Sequence, residues 1–270
     1  MRKTSIIISI SSDIGTALAK HWAESKNIIG TYRTKSPELD RLESVGIQLE
    51  KCDLSDCTSI NQFCQKFREK NIQWDELIFC PGLLSPIGLF ESLDINEWQN
   101  TFNVNFSAQI NILHQLLDLR NKSNNELATA LFFAGGGTNG TAKYFSSYTV
   151  SKIALIKMCE LLDHEIDDCK FSIMGPGWVK TKIHQQTIEA KASAKEAYHS
   201  TKEHYKNNNF NDMNDVIDCC DWIINSDKNI VGGRNFSMVH DAWRKEKLAS
   251  ELGSNNDMYK LRRYGNDLIV

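Results

Sequence analysis

The sequence lacks an apolar run long enough to cross a membrane. Its first apolar run stops at Ile10, which is short of the roughly 7–15 apolar residues of a secretory signal. No stretch approaches the ~18 consecutive apolar residues that a membrane helix needs. We therefore expect a cytoplasmic protein with no membrane partner, and a chain that starts directly on a strand.

An excess of charge of one sign is also missing. The 31 Lys and Arg residues nearly balance the 34 Asp and Glu residues, so the formal net charge is −3. This weak charge gives no electrostatic reason to expect nucleic acid as a partner. The apolar fraction of 41% and the charged fraction of 24% are near globular averages. They exclude disordered, collagen-like and coiled-coil chains.

The eight cysteines include no Cys-x-x-Cys pair. No histidine stands at zinc-ligand spacing beside a cysteine pair, so the pattern does not favour a metal site. A chain of 270 residues buries about 70% of its unfolded surface and needs no covalent or metal staple. We expect all eight cysteines to be reduced and to lie in or near the core.

Short apolar runs alternate with amphipathic segments through Met174. The runs predict six strands, at residues 5–10, 27–32, 46–51, 76–80, 127–134 and 170–174. The segments between them predict helices at residues 14–22, 37–45, 56–69, 97–119 and 144–167. Alternation without hairpin signals predicts parallel strands joined by right-handed crossovers. The predicted fold is α/β, a Rossmann-like doubly wound parallel sheet with helices on both faces, in one domain over residues 1–270.

The pattern changes after Pro176-Gly177. Residues 183–205 are mostly polar and helical in pattern, with many Lys, Glu and Ala residues. A solvated surface helix explains this composition. A lid over the carboxyl ends of the strands explains its position, because ligands bind there in open α/β sheets. We predict a lid over residues 183–206 and a C-terminal tail over residues 244–270.

Tyr148 and Lys152 are four residues apart on a predicted helix, so they share a face. A neighbouring ammonium favours the phenolate and would lower the pKa of the tyrosine from about 10. Such a tyrosine can act as a general acid or base near neutral pH. The preceding strand ends in Gly135-Gly136-Gly137, where glycines let a ligand approach the backbone. A surface tyrosine with a snorkelling lysine is the alternative.

Further motifs follow one another in order between residues 4 and 240. They are Ile8-Ser9-Ile10-Ser11-Ser12-Asp13-Ile14-Gly15, Asp53-Leu54, Cys80-Pro81-Gly82, Val104-Asn105-Phe106, Tyr148-Thr149-Val150-Ser151-Lys152 and Pro176-Gly177-Trp178-Val179-Lys180-Thr181. In this order and spacing the sequence resembles the short-chain dehydrogenase/reductase family. The resemblance implies hydride transfer between a nicotinamide cofactor and a carbonyl or alcohol.

The resemblance also implies roles for individual residues. Tyr148 would be the acid or base, and Lys152 would lower its pKa and hold the nicotinamide ribose. Asn105 would hold a water that relays protons to Lys152. The residues expected to bind the cofactor are Ser9, Ser11, Ser12, Asp13, Ile14, Gly15, Arg33, Asp53, Leu54, Cys80, Pro81, Gly82, Tyr148, Lys152, Pro176, Gly177, Val179 and Thr181.

Two departures from the family pattern stand out. The glycine-rich turn keeps only Gly15, and Ser9 and Asp13 occupy the earlier glycine positions. We interpret Asp13 as an N-cap whose carboxylate points into the start of the helix. The family's catalytic serine position holds Gly135, and losing one such donor can cost on the order of 10²–10³ in rate. Thr138 is the nearest replacement; otherwise it is a loop-forming threonine.

The end of the second strand bears on the choice of cofactor. Sites that prefer NAD place a carboxylate there, but residues 30–37 contain no carboxylate, and the first one after the strand is Glu38. Arg33 can bind a 2′-phosphate, with Thr34 and Lys35 nearby. We predict NADP in preference to NAD, with a solvated Arg-Lys pair as the alternative.

These observations favour an NADP-linked oxidoreductase acting on a small molecule. A non-catalytic dinucleotide-binding or regulatory protein of the same fold is one alternative, because the glycine turn and catalytic serine are altered. A sugar-nucleotide epimerase with a transient hydride shift is another. The segments 232–243 and 258–263 resemble a bacterial subgroup of surface-polysaccharide pathways, which suggests a sugar-like substrate. Relatives pair the helix at residues 144–167 across a two-fold axis, so we expect a homodimer or homotetramer.

Overall fold

Seven parallel strands form one sheet in the computed structural model, which describes residues 2–122 and 126–264. The strands are β1 (Thr4–Ile8), β2 (Asn27–Tyr32), β3 (Gln48–Lys51), β4 (Glu76–Phe79), β5 (Ala128–Phe133), β6 (Cys169–Gly175) and β7 (Asn235–Ser237). Their order is β3-β2-β1-β4-β5-β6-β7, and every neighbouring pair is parallel. The order reverses direction between β1 and β4, and ligands bind at such a switch point.

The helices follow the strands in the predicted alternation. They are α1 (Asp13–Trp22), α2 (Pro37–Ser44), α3 (Cys57–Glu69), α4 (Ile95–Phe102), α5 (Ala108–Leu116), α6 (Ser146–Glu165), α7 (Ile183–Glu189), α8 (Lys191–Ala194), α9 (Glu196–Lys206), α10 (Met213–Asn225), α11 (Lys228–Val231) and α12 (Glu246–Ser254). A π-helical turn at Asn103–Ser107 joins α4 to α5. None of the helices in the described part of the chain combines the length and apolar character required to traverse a lipid bilayer.

The sheet separates two hydrophobic clusters. In β1, Ile6 packs against the helices α3, α5 and α6, and the next residue, Ile7, packs with α1, α2, α10 and α12. Successive side chains of a strand point to opposite faces, so an unbroken apolar strand needs helices on both sides. The predicted doubly wound, Rossmann-like sheet is confirmed.

Some boundaries differ from the prediction. β1 ends at Ile8 rather than Ile10, because Ser9 turns the chain with a φ of 61°. β7 was missed, since three residues carry no readable alternation and the strand pairs only with β6. The predicted helix at residues 183–205 is three helices, interrupted at Ala190 and at Lys195, whose φ is 46°.

The cysteines follow the prediction with one exception. Seven of them are buried, whereas Cys57 is exposed. Cys57 is the first residue of α3, and the first turn of this helix faces solvent. Its placement in or near the core was therefore wrong. Residues 1, 123–125 and 265–270 lie outside the described residues, so the final part of the predicted tail is not covered.

Candidate active site

A cavity of about 900 Å³ lies at the carboxyl ends of β1, β4, β5 and β6, beneath the helices α7 and α9. The structure brings together here most of the predicted site residues. Those that line the cavity are Ser12, Asp13, Ile14, Cys80, Pro81, Gly82, Thr138, Tyr148, Lys152, Pro176, Gly177, Val179 and Thr181. The remaining predicted residues lie around it: Ser9, Ser11 and Gly15 in the β1–α1 turn, Arg33 after β2, Asp53 and Leu54 after β3, and Asn105 in the π-helical turn.

The β1–α1 turn keeps a tight geometry with one glycine. Ser9 adopts a positive φ of 61°, a conformation that costs a non-glycine residue of order 1 kcal/mol. Its amide donates to Thr31 Oγ1 at 2.8 Å, which supports this conformation. A Cβ on Gly15 would lie 2.8 Å from the Ser9 carbonyl oxygen. Gly15 is therefore the glycine that this turn requires.

Asp13 does not have the predicted role. Ser12 is the N-cap of α1, and its hydroxyl accepts a hydrogen bond from the Gly15 amide at 3.0 Å. Asp13 is the first residue of the helix, and its Oδ2 accepts from the backbone N–H of Lys182 at 2.6 Å. The N-cap interpretation was wrong because Ser12, one residue earlier, supplies the cap.

Tyr148 and Lys152 lie together at the wall of the cavity on α6. The Lys152 ammonium is 5.8 Å from the centroid of the Tyr148 ring and donates to the Pro81 carbonyl oxygen at 3.2 Å. Lys152 is only 2% exposed. The helix thus directs a phenol and an ammonium into the same cleft, as the spacing predicted.

The pKa values of this pair are governed by burial. Desolvation raises the pKa of Tyr148 to about 12, and it lowers the pKa of Lys152 to about 8. The pKa of Tyr148 therefore moves in the direction opposite to the prediction, and a lowering of it by Lys152 stays a prediction. Removal of water disfavours the charged form of each group, and it is the largest cause of both shifts.

Gly135 leaves room for the phenol of Tyr148. A Cβ on Gly135 would lie 2.2 Å from the Tyr148 hydroxyl oxygen. The Tyr148 hydroxyl therefore fills the space that a serine side chain at this position would need. Thr138 lines the same cavity, and its hydroxyl donates to the Gly135 carbonyl at 3.4 Å.

The segment after β4 connects Lys152 to the β1–α1 turn. The thiol of Cys80 contacts the Ser12 hydroxyl, and burial raises the pKa of this thiol to about 12. Pro81 supplies the carbonyl that binds Lys152. A Cβ on Gly82 would lie 2.9 Å from Cδ1 of Ile183, so α7 packs directly on this segment.

Asn105 is fully buried and anchors the same segment from behind. Its Oδ1 accepts from the Leu83 amide at 3.0 Å, and its Nδ2 donates to the Leu83 carbonyl at 2.8 Å. Its own carbonyl accepts from Gln109 Nε2 at 2.6 Å. Asn105 therefore positions the loop that holds Lys152, and the predicted water relay stays a prediction.

The residues expected at the adenosine end lie beyond the cavity. Arg33 is exposed, makes no hydrogen bond or ion pair with the described residues, and is near enough to Asp53 for their charges to interact. Lys35 is held by Glu43 and lies 3.4 Å from Asp40. Asp53 uses Oδ1 to accept from the Ser55 amide at 2.9 Å. Arg33 rather than Lys35 is the cation available to a ligand.

The segment 183–206 covers the cavity. Ile183 and Ala197 pack with Leu84, Phe145 and Tyr148. Gln186 Oε1 accepts from the amides of Leu84 and Ser85 at 2.9 and 3.1 Å, which fastens the segment to the loop after β4.

The lining residues that sequence reasoning missed include Trp178, Lys182, His184 and Gln186. The Trp178 ring lies between His184 and His204, with centroid distances of 4.6 and 3.9 Å. Trp178 belongs to the motif at residues 176–181, and Lys182 directly follows that motif. No local pattern marks the histidines or Gln186, because their partners are distant in sequence.

Comparison with known proteins identifies the family. The sequence profile of the family described as short chain dehydrogenase matches residues 3–192. This chain therefore belongs to the short chain dehydrogenase family, a family of oxidoreductases that bind NAD or NADP.

Individual relatives are distant. The chain is 23% identical over 201 residues to benzil reductase ((S)-benzoin forming) of Saccharomyces cerevisiae, covering 70% of this chain and 76% of that protein. A short chain dehydrogenase/reductase structure from S. cerevisiae superposes with a TM-score of 0.78 at 19% identity, over 92% of this chain and 98% of that one. A short chain dehydrogenase from Shigella flexneri complexed with NADP gives a TM-score of 0.71 at 17% identity, over 87% and 96%.

Proposed function

We propose that the protein is an NADP(H)-dependent oxidoreductase that transfers a hydride between nicotinamide and a carbonyl or alcohol. The observation that carries the proposal is the pair of half-buried Tyr148 and buried Lys152 at one wall of a cavity that extends to the β1–α1 turn. The predicted lid at residues 183–206 closes this cavity and keeps water from the reacting groups.

The residues present fit a nicotinamide dinucleotide. Lys152 has three donors and uses one for Pro81, so two remain for ribose hydroxyls. Arg33 is available at the end of β2 for a 2′-phosphate, and Gly15 gives the turn below the pyrophosphate its tight geometry. When bound, the cofactor supplies or accepts the hydride. NADP in a solved structural neighbour is consistent with the preference for NADP.

Tyr148 acts on the substrate oxygen. A tyrosine with a pKa of about 12 is protonated at neutral pH, so it is set to donate its proton to a carbonyl that becomes an alcohol. Lys152 holds the cofactor ribose beside it. The proposed role of Tyr148 at neutral pH is therefore that of a general acid in carbonyl reduction.

The substrate end of the cavity is apolar. Leu84, Phe145, Ile183 and Ala197 line it next to Tyr148, and none of these carries a charge. We infer a neutral carbonyl compound with apolar or aromatic substituents, as the relative named benzil reductase would also suggest. Two segments suggested a sugar-like substrate. Residues 258–263 do not contribute to the described lining, whereas the segment 232–243 contributes Asn235, Phe236, Ser237, Val239 and His240.

Cofactor titration and one substitution test the proposal. NADPH and NADH are titrated by nicotinamide fluorescence, and an aromatic diketone is then compared with sugar substrates. NADPH should bind in the micromolar range, and Tyr148→Phe should keep this affinity while losing about 10²–10⁴-fold in turnover. Failure of both cofactors to bind below about millimolar would favour a non-catalytic protein. Substrate conversion without net change in nicotinamide absorbance would favour the epimerase.

The assembly and location belong to the same proposal. We infer a homodimer or homotetramer that pairs α6, since Val150 and Leu161 on this helix are 46% and 45% exposed. Sedimentation of the purified protein measures this state. We also propose that residues 1–270 act as one cytoplasmic domain.

A further inference from the structure

A pair of opposite charges bridges the cleft between the β1–α1 turn and the start of α7. The Lys182 ammonium lies 3.5 Å from Asp13 Oδ1 and donates to the Ser11 carbonyl at 3.2 Å. The backbone N–H of Lys182 donates to Asp13 Oδ2 at 2.6 Å. The two residues are 169 positions apart in the chain, and both line the cavity.

The charges of this pair are unusual within the cavity. Among the described lining residues, Asp13 is the carboxylate, and Lys182 and Lys152 are the lysines. Lys152 is buried against Pro81 at the other end. Lys182 keeps 74% of its side chain exposed at the mouth of the cleft, so its ammonium can move by rotation about its side-chain bonds.

The negative charge of Asp13 opposes the binding of an anionic ligand at the start of α1. It opens α1 beside the turn where the proposed cofactor would place its pyrophosphate, and its charge repels that group. The ammonium of Lys182 offsets this repulsion only as long as it stays close. A pyrophosphate would draw the same ammonium, since charge-assisted bonds to phosphate are strong.

We propose that Lys182 is a phosphate ligand for the dinucleotide and that Asp13 competes with the pyrophosphate for it. This inference rests on the proposed function, because it needs a dinucleotide in this cleft. Asp13 lowers cofactor affinity in two ways: its carboxylate repels the pyrophosphate, and it holds the Lys182 ammonium away from the pyrophosphate. Transfer of the ammonium from Asp13 to pyrophosphate also joins the cofactor to the segment where α7 begins.

A double-mutant cycle tests the competition. The dissociation constant of NADPH is measured by nicotinamide fluorescence for wild type, Asp13→Asn, Lys182→Met and the double variant. Asp13→Asn keeps the oxygen that accepts from the Lys182 amide and removes the charge, so NADPH should bind about tenfold tighter. Lys182→Met should weaken binding about fourfold in the wild type and about twentyfold in the Asp13→Asn background, because the lysine is then free.

The controls separate the possible failures. Lys180→Met removes a lysine of the same loop that is exposed and outside the cavity lining, and it should change affinity less than about twofold. Equal factors for Lys182→Met in both backgrounds, or no gain from Asp13→Asn, would overturn the competition. Absence of NADPH and NADH binding by the wild type would instead overturn the proposed function. Thermal unfolding confirms that each variant is folded.

Discussion

A Cβ atom on Gly135 would lie 2.2 Å from the hydroxyl oxygen of Tyr148. The side chain that the family places at residue 135 and the tyrosine hydroxyl of this protein therefore compete for one space. The absence of a serine is thus part of how Tyr148 is positioned, since the phenol reaches the backbone of the strand end directly.

Restoring the family's serine should harm this protein. Gly135→Ser must displace the Tyr148 hydroxyl, and overpacking of this kind costs about 1–3 kcal/mol. We expect turnover to fall about tenfold or more and the thermal midpoint to drop. Gly136→Ser is the matched control, because a Cβ there meets nothing within 4 Å. A gain in turnover for Gly135→Ser would contradict the geometry.

The buried ammonium of Lys152 should lower the free energy of unfolding at neutral pH. Burial lowers its pKa to about 8 from about 10.4 in the unfolded chain. Below pH 8 the folded protein carries the cost of a buried ammonium. As pH rises from about 8 to about 10, Lys152 holds its proton in the unfolded chain and loses it in the folded one, so the contribution of Lys152 to stability rises.

The variant Lys152→Met should lack this rise with pH. At pH 7 it should be about 1–2 kcal/mol more stable than wild type, after the loss of the bond to Pro81, and it should be inactive. Urea unfolding at pH 7 and pH 10 measures the difference. Lys157→Met on the exposed face of α6 serves as control and should track the wild type. An equal pH dependence for Lys152→Met would refute this account.

Arg33 should set the preference for a phosphate-bearing cofactor. Arg33→Ala removes the unpaired cation at the end of β2 and should weaken NADPH binding about tenfold, with less than about a twofold effect on NADH. Lys35→Ala is the control, because Glu43 and Asp40 already hold this lysine. Equal losses for the two cofactors after Arg33→Ala would remove Arg33 from the specificity site.

Thr138 is the hydroxyl expected to replace the missing serine. It lines the cavity and donates to the Gly135 carbonyl over a long 3.4 Å contact, so rotation of the hydroxyl would let it donate to a substrate oxygen instead. Thr138→Val should lower turnover about tenfold or more with cofactor affinity retained. Thr141→Val in the same loop, also facing the cavity, should have a small effect. An unchanged rate for Thr138→Val would exclude Thr138 from the mechanism.

Local patterns were enough for much of the fold. Apolar runs bounded by polar turns predicted six of the strands, because a strand buried on both faces must be apolar throughout. They could not reveal β7, whose three residues are defined only by pairing with β6. The single long helix predicted at residues 183–205 is broken in the folded chain. The residues it packs against, Leu84 and Tyr148, lie in distant parts of the sequence, so a local pattern could not predict the breaks.

The sequence by itself was enough to place Tyr148 and Lys152 on one helix face, through their four-residue spacing, and to predict a dinucleotide-binding fold, through the ordered motifs. Only the tertiary structure decided their electrostatics. The depth of burial, which raises the pKa of Tyr148 and lowers that of Lys152, depends on the packing of distant segments. The partner of Asp13 was equally invisible, because Lys182 reaches it across the folded chain, and helix-capping rules consider only neighbours in sequence.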